Sequence, residues 1–257
     1  MLEVVAGLAA GLVIALLTTP VGVSGAVFLL PVQLSVLAVP NPAVTPTNLL
    51  FNVVSGPGAL LRYGRRGALA GPLTRLMLCG TVPGVVVGAL LRVYAVPGPR
   101  AFRLIVAVFL LPLGVWLCVR TVRSGVPTGT RPSPRSVTLL SLAVGVVGGI
   151  YGIGGGSLLG PILVGRGMPV AVVGPAALAS TFVTSIVGAG TFALLALGAD
   201  GAIAPHWLVG LSCGAGGLIG GYLGARLQPR LPEKGLRLLL GALATGIGVL
   251  YLVQGSA

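Results

Sequence analysis

Acidic side chains are almost absent from this chain. Its 257 residues include 3 Asp and Glu together against 16 Lys and Arg, and charged residues of both signs make up 7% of the total. Soluble domains carry about 25% charged residues. With 55% hydrophobic residues and a mean hydropathy of +1.07, the chain has too little polar surface to cover a globule in water. The composition therefore predicts an integral membrane protein.

Aromatic residues are scarce as well, at 5% of the chain, and the apolar blocks are continuous rather than alternating. A membrane β-barrel would show short alternating segments and aromatic girdles. Long unbroken apolar blocks instead favour helices. The expected fold class is an all-α integral membrane protein, a polytopic helical bundle.

The residue patterns of catalysis and metal binding are also lacking. There is one His, and the three cysteines, Cys79, Cys118 and Cys213, lie inside apolar blocks without CxxC spacing. No HExxH, no GxSxG and no pair of neighbouring carboxylates is present. We therefore expect no enzyme activity, no metal and no cofactor.

The net charge of +13 does not indicate nucleic-acid binding. The arginines lie between the apolar blocks rather than along one face, which is the pattern of the positive-inside rule for membrane proteins. The three carboxylates, Glu3, Asp200 and Glu233, fall in predicted termini or loops, so no carboxylate is expected inside a membrane segment.

Apolar runs and their Gly and Pro boundaries divide the chain into ten segments. The polar linker Ser124 to Arg135 separates a first repeat, 1–123, from a second, 136–257. Membrane helices need about 20 residues, with a usual range of 17 to 25, so the first, sixth and seventh segments are short. The predicted segments are 2–17, 20–39, 44–61, 68–91, 101–122, 136–150, 153–167, 171–197, 205–227 and 235–253.

The two halves of the chain resemble each other in sequence. VGVSGAVFLLP, Val21 to Pro31, aligns without a gap with YGIGGGSLLGP, Tyr151 to Pro161. TPTNLL from Thr45 aligns with GPAALA from Gly174, and the run that starts at Arg103 parallels the run that starts at Arg237. Duplication with Gly- or Pro-broken segments at matching places is typical of a transporter binding site.

The distribution of arginine predicts how the repeats are oriented. If the central linker, with Arg131 and Arg135, is cytoplasmic, then the loop of Arg62, Arg65 and Arg66 is also cytoplasmic, whereas its counterpart around Asp200 is outside. The two repeats are then inverted relative to each other, with both termini outside. The loop arginines that run against this pattern are Arg92, Arg100 and Arg103.

The stretch GGIYGIGGGSLLGP, Gly148 to Pro161, has three candidate interpretations. A phosphate-binding loop is excluded because no lysine follows and no strand precedes it. A close-packing face suits the rows of segment 9, which are Gly216–Gly220–Gly224 and Gly217–Gly221–Ala225. Consecutive glycines cover every face of a helix, so here we predict a broken helix whose bare backbone lines a cavity. The helix that restarts there would point its free N–H groups at an anion.

Polar side chains follow each glycine motif and complete the candidate site. Asn48 and Asn52 lie one helical turn apart, and by the repeat alignment Asn52 corresponds to Thr181. Such groups either line a cavity or, for Ser and Thr, bond back to their own helix. The predicted substrate-binding residues are Gly22, Ser24, Gly25, Asn48, Asn52, Gly152, Gly154, Gly155, Gly156, Ser157, Ser180, Thr181 and Thr184.

Two further polar residues have open interpretations. Arg75 lies inside segment 4, where a cation either marks a transport pathway or snorkels to the interface. His206 stands between Pro205 and Trp207, which favours an interfacial anchor over a proton relay.

The duplicated glycine motif that ends in proline, together with the basic central linker, resembles the TauE/SafE sulfite exporter family over essentially the whole chain. GIGGGSLLGP matches the family pattern closely, whereas GVSGAVFLLP has Ser24 and Ala26 in place of glycines. The resemblance implies a multi-pass transporter or permease of the cell membrane for sulfite, a sulfonate or a similar anion. Its partners would be that small anion and the lipid bilayer, with no nucleic acid. A membrane scaffold or assembly subunit is the alternative.

Overall fold

A computed structural model describes residues 1–65, 69, 71–95, 99–124, 132–197 and 204–256 of the chain. These residues form ten α-helices, one in each predicted segment, and the all-α membrane fold is confirmed. Six of the helical stretches are long and apolar enough to cross a membrane. The helices are α1 Leu2–Thr18, α2 Ala26–Ser35, α3 Asn41–Gly64, α4 Pro72–Tyr94, α5 Pro99–Ser124, α6 Pro134–Tyr151, α7 Gly156–Gly165, α8 Val170–Ala196, α9 Trp207–Leu227 and α10 Glu233–Ser256.

Two of these helices, α2 and α7, are too short to cross a bilayer. Each has 10 residues, or about 15 Å of helix, against a hydrocarbon core of about 30 Å. The prediction of a helical segment over 20–39 was therefore too long. A 3-10 turn, Thr19–Val21, ends the preceding helix, and Ala38, with φ 48°, stops α2 from continuing. The first and sixth segments, in contrast, form helices of 17 and 18 residues.

Rows of glycine bring one helix of each half against the first helix of the other half. On α4, Gly84 and Gly88 face the backbone carbonyls of Leu142 and Val146 in α6 so closely that a methyl group at either glycine would overlap them. Small residues four apart allow this backbone approach. The two halves are therefore interlocked.

The same contact recurs between α9 and α1. Gly220 and Gly224 face the carbonyls of Leu12 and Leu16. In the alignment that pairs the glycine motifs, these two leucines correspond to the residues of α6 that face Gly84 and Gly88. The row Gly216–Gly220–Gly224 thus packs as its spacing predicts. The contact also establishes which residues of α4 and α9 are equivalent, with Gly84 matching Gly220 and Gly88 matching Gly224.

The helices that correspond between the halves run antiparallel where they meet. Along α5, Leu111 contacts Gly248 of α10 whereas Cys118 contacts Gly241. Likewise in the α3–α8 pair, the residues early in one helix pack against the residues late in the other: Leu49 lies beside Gly188, and Tyr63 packs with Leu178.

A buried arginine holds the end of α7. Arg237, near the start of the predicted segment 235–253, lies in α10 and is fully buried. Its guanidinium donates to the carbonyl oxygens of Val164 (2.8 Å) and Met168 (3.0 Å) and pairs with Glu233. Glu233 in turn accepts the backbone N–H of Val170, at the start of α8. Because unpaired carbonyls at a helix end need donors, this cluster fixes the junction between α7 and α8.

Candidate functional site

The first repeat contains a four-residue break, Gly22–Gly25, which we call the first tip. Gly22 has a left-handed backbone (φ 76°), and its Cα packs directly on the backbone of Gly174 at the start of α8. A side chain there would be strained and would collide with α8. The Ser24 hydroxyl accepts the N–H of Ala26 at 3.2 Å, and Gly25 caps α2.

The second repeat has the matching break, Gly152–Gly155, which we call the second tip. Gly152 (φ 70°) packs on the backbone of Thr45 in α3, as Gly22 packs on α8. Gly154 is also left-handed (φ 72°), and Gly155 caps α7. Each tip therefore sits against the third helix of the opposite repeat.

Asn52 lies between the two tips and is almost fully buried. Its Oδ1 accepts a hydrogen bond from the Ser24 hydroxyl, and its Nδ2 donates to the carbonyl oxygen of Gly152 at 3.4 Å. Asn48, one turn earlier, donates from Nδ2 to the carbonyl oxygen of Ala26 at 3.1 Å, while its buried Oδ1 has no hydrogen-bond partner. The two tips are therefore within reach of a single side chain.

The hydroxyl groups of α8 surround the second tip. Thr184 Oγ1 accepts the N–H of Gly155 at 3.1 Å and donates back to the carbonyl of Ser180. Ser157 donates to the carbonyl oxygen of Ile153 in the second tip and lies 3.4 Å from the Thr181 hydroxyl. Thr184 therefore bonds back to its own helix, as one interpretation predicts, and its second bond is to the tip.

Side chains from α4 and α8 fill the space around the second tip. The Ser180 hydroxyl lies 2.9 Å from that of Thr81 on α4. A methyl group at Gly155 would lie 2.6 Å from Thr81 Cβ. Gly154 and Gly156 leave no room for a side chain either, since Thr181 and the carbonyl of Ala177 lie against them. The second tip is a packed junction.

A cavity adjoins the first tip instead. Its volume is about 30 Å³, which is enough for one or two water molecules or for part of a small solute. Four predicted site residues, Ser24, Gly25, Asn52 and Thr181, line it. The lining residues are Ala15, Thr19, Ser24, Gly25, Phe51, Asn52, Ser55, Gly56, Ala59, Leu178, Thr181, Phe182, Gly217 and Gly221.

Sequence reasoning missed several of these lining residues. Ser55 follows Asn52 by three positions and so lies on the same helical face, a signal the sequence did contain. Gly217 and Gly221 were interpreted as a packing row, and Gly217 does pack closely, but on α3, where a methyl group would lie 2.7 Å from Phe51 and from Ser55. A methyl group at Gly221 would find only ordinary contacts, 3.5 Å from the nearest atom. This row borders the cavity.

The remaining candidates lie away from the cavity. Arg75 is exposed in the first turn of α4, where its chain can reach the membrane interface, and it does not line the cavity. His206 caps α9 by accepting the N–H of Val209, and its own backbone N–H donates to the Thr47 hydroxyl. Asp200, Arg131 and most of the central linker lie outside the described residues. All the side chains that line the cavity are uncharged.

Comparison with known proteins identifies the family. A family model described as "Sulfite exporter TauE/SafE" matches residues 7–251, nearly the whole chain. No curated protein and no solved structure matches the chain. The match covers both tips, the cavity and the central linker, so the chain belongs to the TauE/SafE sulfite exporter family, a family of multi-pass membrane transporters.

Proposed function

We propose that this protein is a secondary transporter or permease that moves a small sulfur-containing anion, such as sulfite or a sulfonate, across the cell membrane. The substrate would bind in the cavity at the first tip, and access would alternate between the two sides of the membrane. The observation that carries the proposal is the position of Asn52. It links both helix breaks and borders the cavity.

The chemistry of the cavity suits an oxyanion. Asn52 and Ser55 offer an amide and a hydroxyl group that can donate to sulfite oxygens, and Gly25, the N-cap of α2, lies in the cavity wall. Among the described residues, no lysine or arginine lines the cavity. Neutral donors stabilise an anion without a fixed counter-charge, so the substrate can leave as well as bind.

The arrangement of the repeats supports alternating access. The pairs α3–α8 and α5–α10 meet antiparallel, as two inverted repeats require, and α4–α6 mirrors α9–α1. In such transporters the site lies where two broken helices meet near the bilayer midplane. We place the tips at that depth, with the central linker and the loop after α3 in the cytoplasm and both termini outside.

Transport into proteoliposomes tests the proposal. Purified protein should take up radiolabelled sulfite, and a panel of sulfur oxyanions and alkyl sulfonates should compete to different extents. Asn52→Ala should weaken apparent affinity about 10- to 100-fold, because a hydrogen bond to a charged acceptor contributes about 1.5–3 kcal/mol. Thr191→Ala, whose hydroxyl bonds only within α8, is the matched control.

A scaffold or assembly subunit would give a different result. The protein would then insert and purify normally but would neither bind nor transport any anion of the panel. Equal uptake by the native protein and by Asn52→Ala would place the substrate elsewhere in the bundle.

A further inference from the structure

Two small hydrophobic clusters stand apart from the main core. The first, the Tyr63 cluster, joins Tyr63 of α3 to Leu178 of α8 and Ala225 of α9, with Ala59 one turn below. The second, the Phe192 cluster, comprises Leu49, Ala89 and Phe192. The side chains of both clusters are buried.

The two clusters occupy equivalent places in the two repeats. In the alignment that pairs TPTNLL with GPAALA, Leu49 corresponds to Leu178, and the same register pairs Tyr63 with Phe192. Ala89 corresponds to Ala225 in the register that relates the glycine rows of α4 and α9. Each cluster therefore combines the start of one long helix, the end of its antiparallel partner and one small residue of α4 or α9.

The clusters also lie at opposite ends of the α3–α8 pair. Leu49 and Tyr63 are as far apart on α3 as Leu178 and Phe192 are on α8, so the clusters are separated by about 21 Å along either helix. Gly56, halfway between Leu49 and Tyr63, lines the cavity. On α8 the lining begins at Leu178 itself, so the cavity lies between the clusters and nearer to the Tyr63 cluster.

Only one of the two clusters contributes residues to the cavity lining. Ala59 and Leu178 of the Tyr63 cluster form part of that lining, but no residue of the Phe192 cluster does. The Tyr63 hydroxyl also donates to the carbonyl oxygen of Thr19, beside the first tip, at 3.3 Å. The equivalent Phe192 has no hydroxyl, so this contact to a helix break belongs to the Tyr63 cluster.

From this placement we propose that the two clusters are the gates of the transport pathway, one toward each side of the membrane. A closed apolar constriction is a barrier to a hydrated anion. Opening one cluster while the other stays closed would expose the cavity to one side at a time. The Tyr63 gate faces the side of Arg65, and the Phe192 gate faces the opposite side. This inference rests on the proposed function, because a gate presupposes a substrate pathway.

Side-specific labelling of a reporter cysteine tests the gates. Cys79, Cys118 and Cys213 are replaced by alanine, and Ser55→Cys places one thiol in the cavity. A membrane-impermeant maleimide is then applied to intact cells and to inside-out vesicles. Tyr63→Ala should raise the labelling rate at least about fivefold from the Arg65 side, since weakening one closed cluster shifts the population toward the open state. Phe192→Ala should do so from the other side alone.

Matched controls come from the same helices. Leu61→Ala and Leu194→Ala remove large side chains that are 59% and 72% exposed on α3 and α8, and neither should change labelling from either side. Tyr63→Phe and Phe192→Leu keep the clusters apolar and filled. They replace the alanine variants in the labelling experiment if an alanine variant does not give monodisperse protein. Tyr63→Phe, which keeps the ring but loses the hydroxyl that bonds to Thr19, should raise labelling by a smaller factor from the Arg65 side.

Two results would overturn the gates. One is labelling in the Tyr63 and Phe192 variants no faster than in the exposed-leucine controls. The other is an increase from the same side in both variants. The labelling does not depend on sulfite, so it tests the gates separately from the proposed substrate. If the gate variants respond as expected but the protein transports no sulfur anion, the proposed substrate is wrong and the proposed gates stand.

Discussion

The first and second tips both begin with a left-handed glycine, but their environments differ. Gly22 and Gly152 are both left-handed, and each packs on the opposite repeat. Ser24 and Asn52 border a cavity at the first tip. At the second tip the corresponding residues are Gly154 and Thr181, and the space is filled.

The difference originates on α4 and α9. In the register that pairs their glycine rows, Gly217 and Gly221, which border the cavity, correspond to Thr81 and Val85. Thr81 lies against Gly155, and Val85 lies beside Gly188. Gly221 leaves space where Val85 fills it, so the described residues leave room beside the first tip and fill the space beside the second. Four substitutions break or sharpen this comparison.

Asn52→Asp should have the largest effect. A carboxylate about 4 Å from a bound anion is repelled by about 4 kcal/mol at an effective dielectric constant of about 20, which lowers affinity about 1000-fold. Equilibrium binding of labelled sulfite measures this, with Thr191→Asp as a control for a new charge in α8. Retained or improved sulfite binding would contradict an anion site and favour a cation or neutral solute.

Gly221→Val should close the first-tip cavity by giving α9 the residue that α4 carries at Val85. The valine side chain would occupy the space where we propose that the substrate binds, so sulfite affinity should fall at least about tenfold, or about 1.4 kcal/mol. The protein should remain folded, because a Cβ atom at position 221 would make only ordinary van der Waals contacts. Leu223→Val, exposed on the same helix, is the control, and normal transport by Gly221→Val would place the substrate outside the cavity.

Ser24→Gly makes the first tip resemble the second at its third position. The hydroxyl that bonds Asn52 is lost, and a neutral hydrogen bond contributes about 0.5–1.5 kcal/mol, so transport affinity should fall about 2- to 10-fold. The reverse change, Gly154→Ser, meets a positive φ and the Thr181 side chain. Gly154→Ser should therefore lower thermal stability instead. A loss of stability in Ser24→Gly, together with a loss of affinity at unchanged stability in Gly154→Ser, would contradict the comparison.

Thr181→Ala should have the smallest effect of the four, although Thr181 is the counterpart of Asn52. Its hydroxyl is 3.4 Å from that of Ser157 and does not bridge the tips. We expect less than about a threefold change in apparent affinity for sulfite, the lower end of what a neutral hydrogen bond contributes. A loss equal to that of Asn52→Ala would mean that the two repeats share the binding equally.

Most of the fold could be predicted from the sequence. The ten segments and the two glycine breaks depend on apolar length and on glycine, which act locally. The extent of α2 could not be predicted, because apolar residues continue past both of its ends and the chain is turned by Gly22–Gly25 and Ala38. The burial of Arg237 could not be predicted either, because its partners, the carbonyls of Val164 and Met168, are far away in sequence.

The candidate site could be predicted in part. Asn52, Ser24 and Thr181 were found because polar groups in apolar segments need partners, and the repeat alignment paired two of them. Ser55 and the α9 glycines were missed. A glycine that lines a cavity and a glycine that packs on a helix have the same spacing, so only the neighbouring helix distinguishes Gly221 from Gly220.

By itself the sequence determined that this protein lies in the membrane, that its chain is duplicated, and that each half breaks one helix at glycine. Those properties follow from the transfer of apolar side chains into lipid and from the backbone freedom of glycine, both of which act residue by residue. Only the tertiary structure decided that Asn52 links the two tips and that a cavity borders the first tip, while the described side chains of α4 and α8 fill the space beside the second. These depend on contacts between residues from opposite halves of the chain, where the side chains of α4 and α9 fill the space or leave it open.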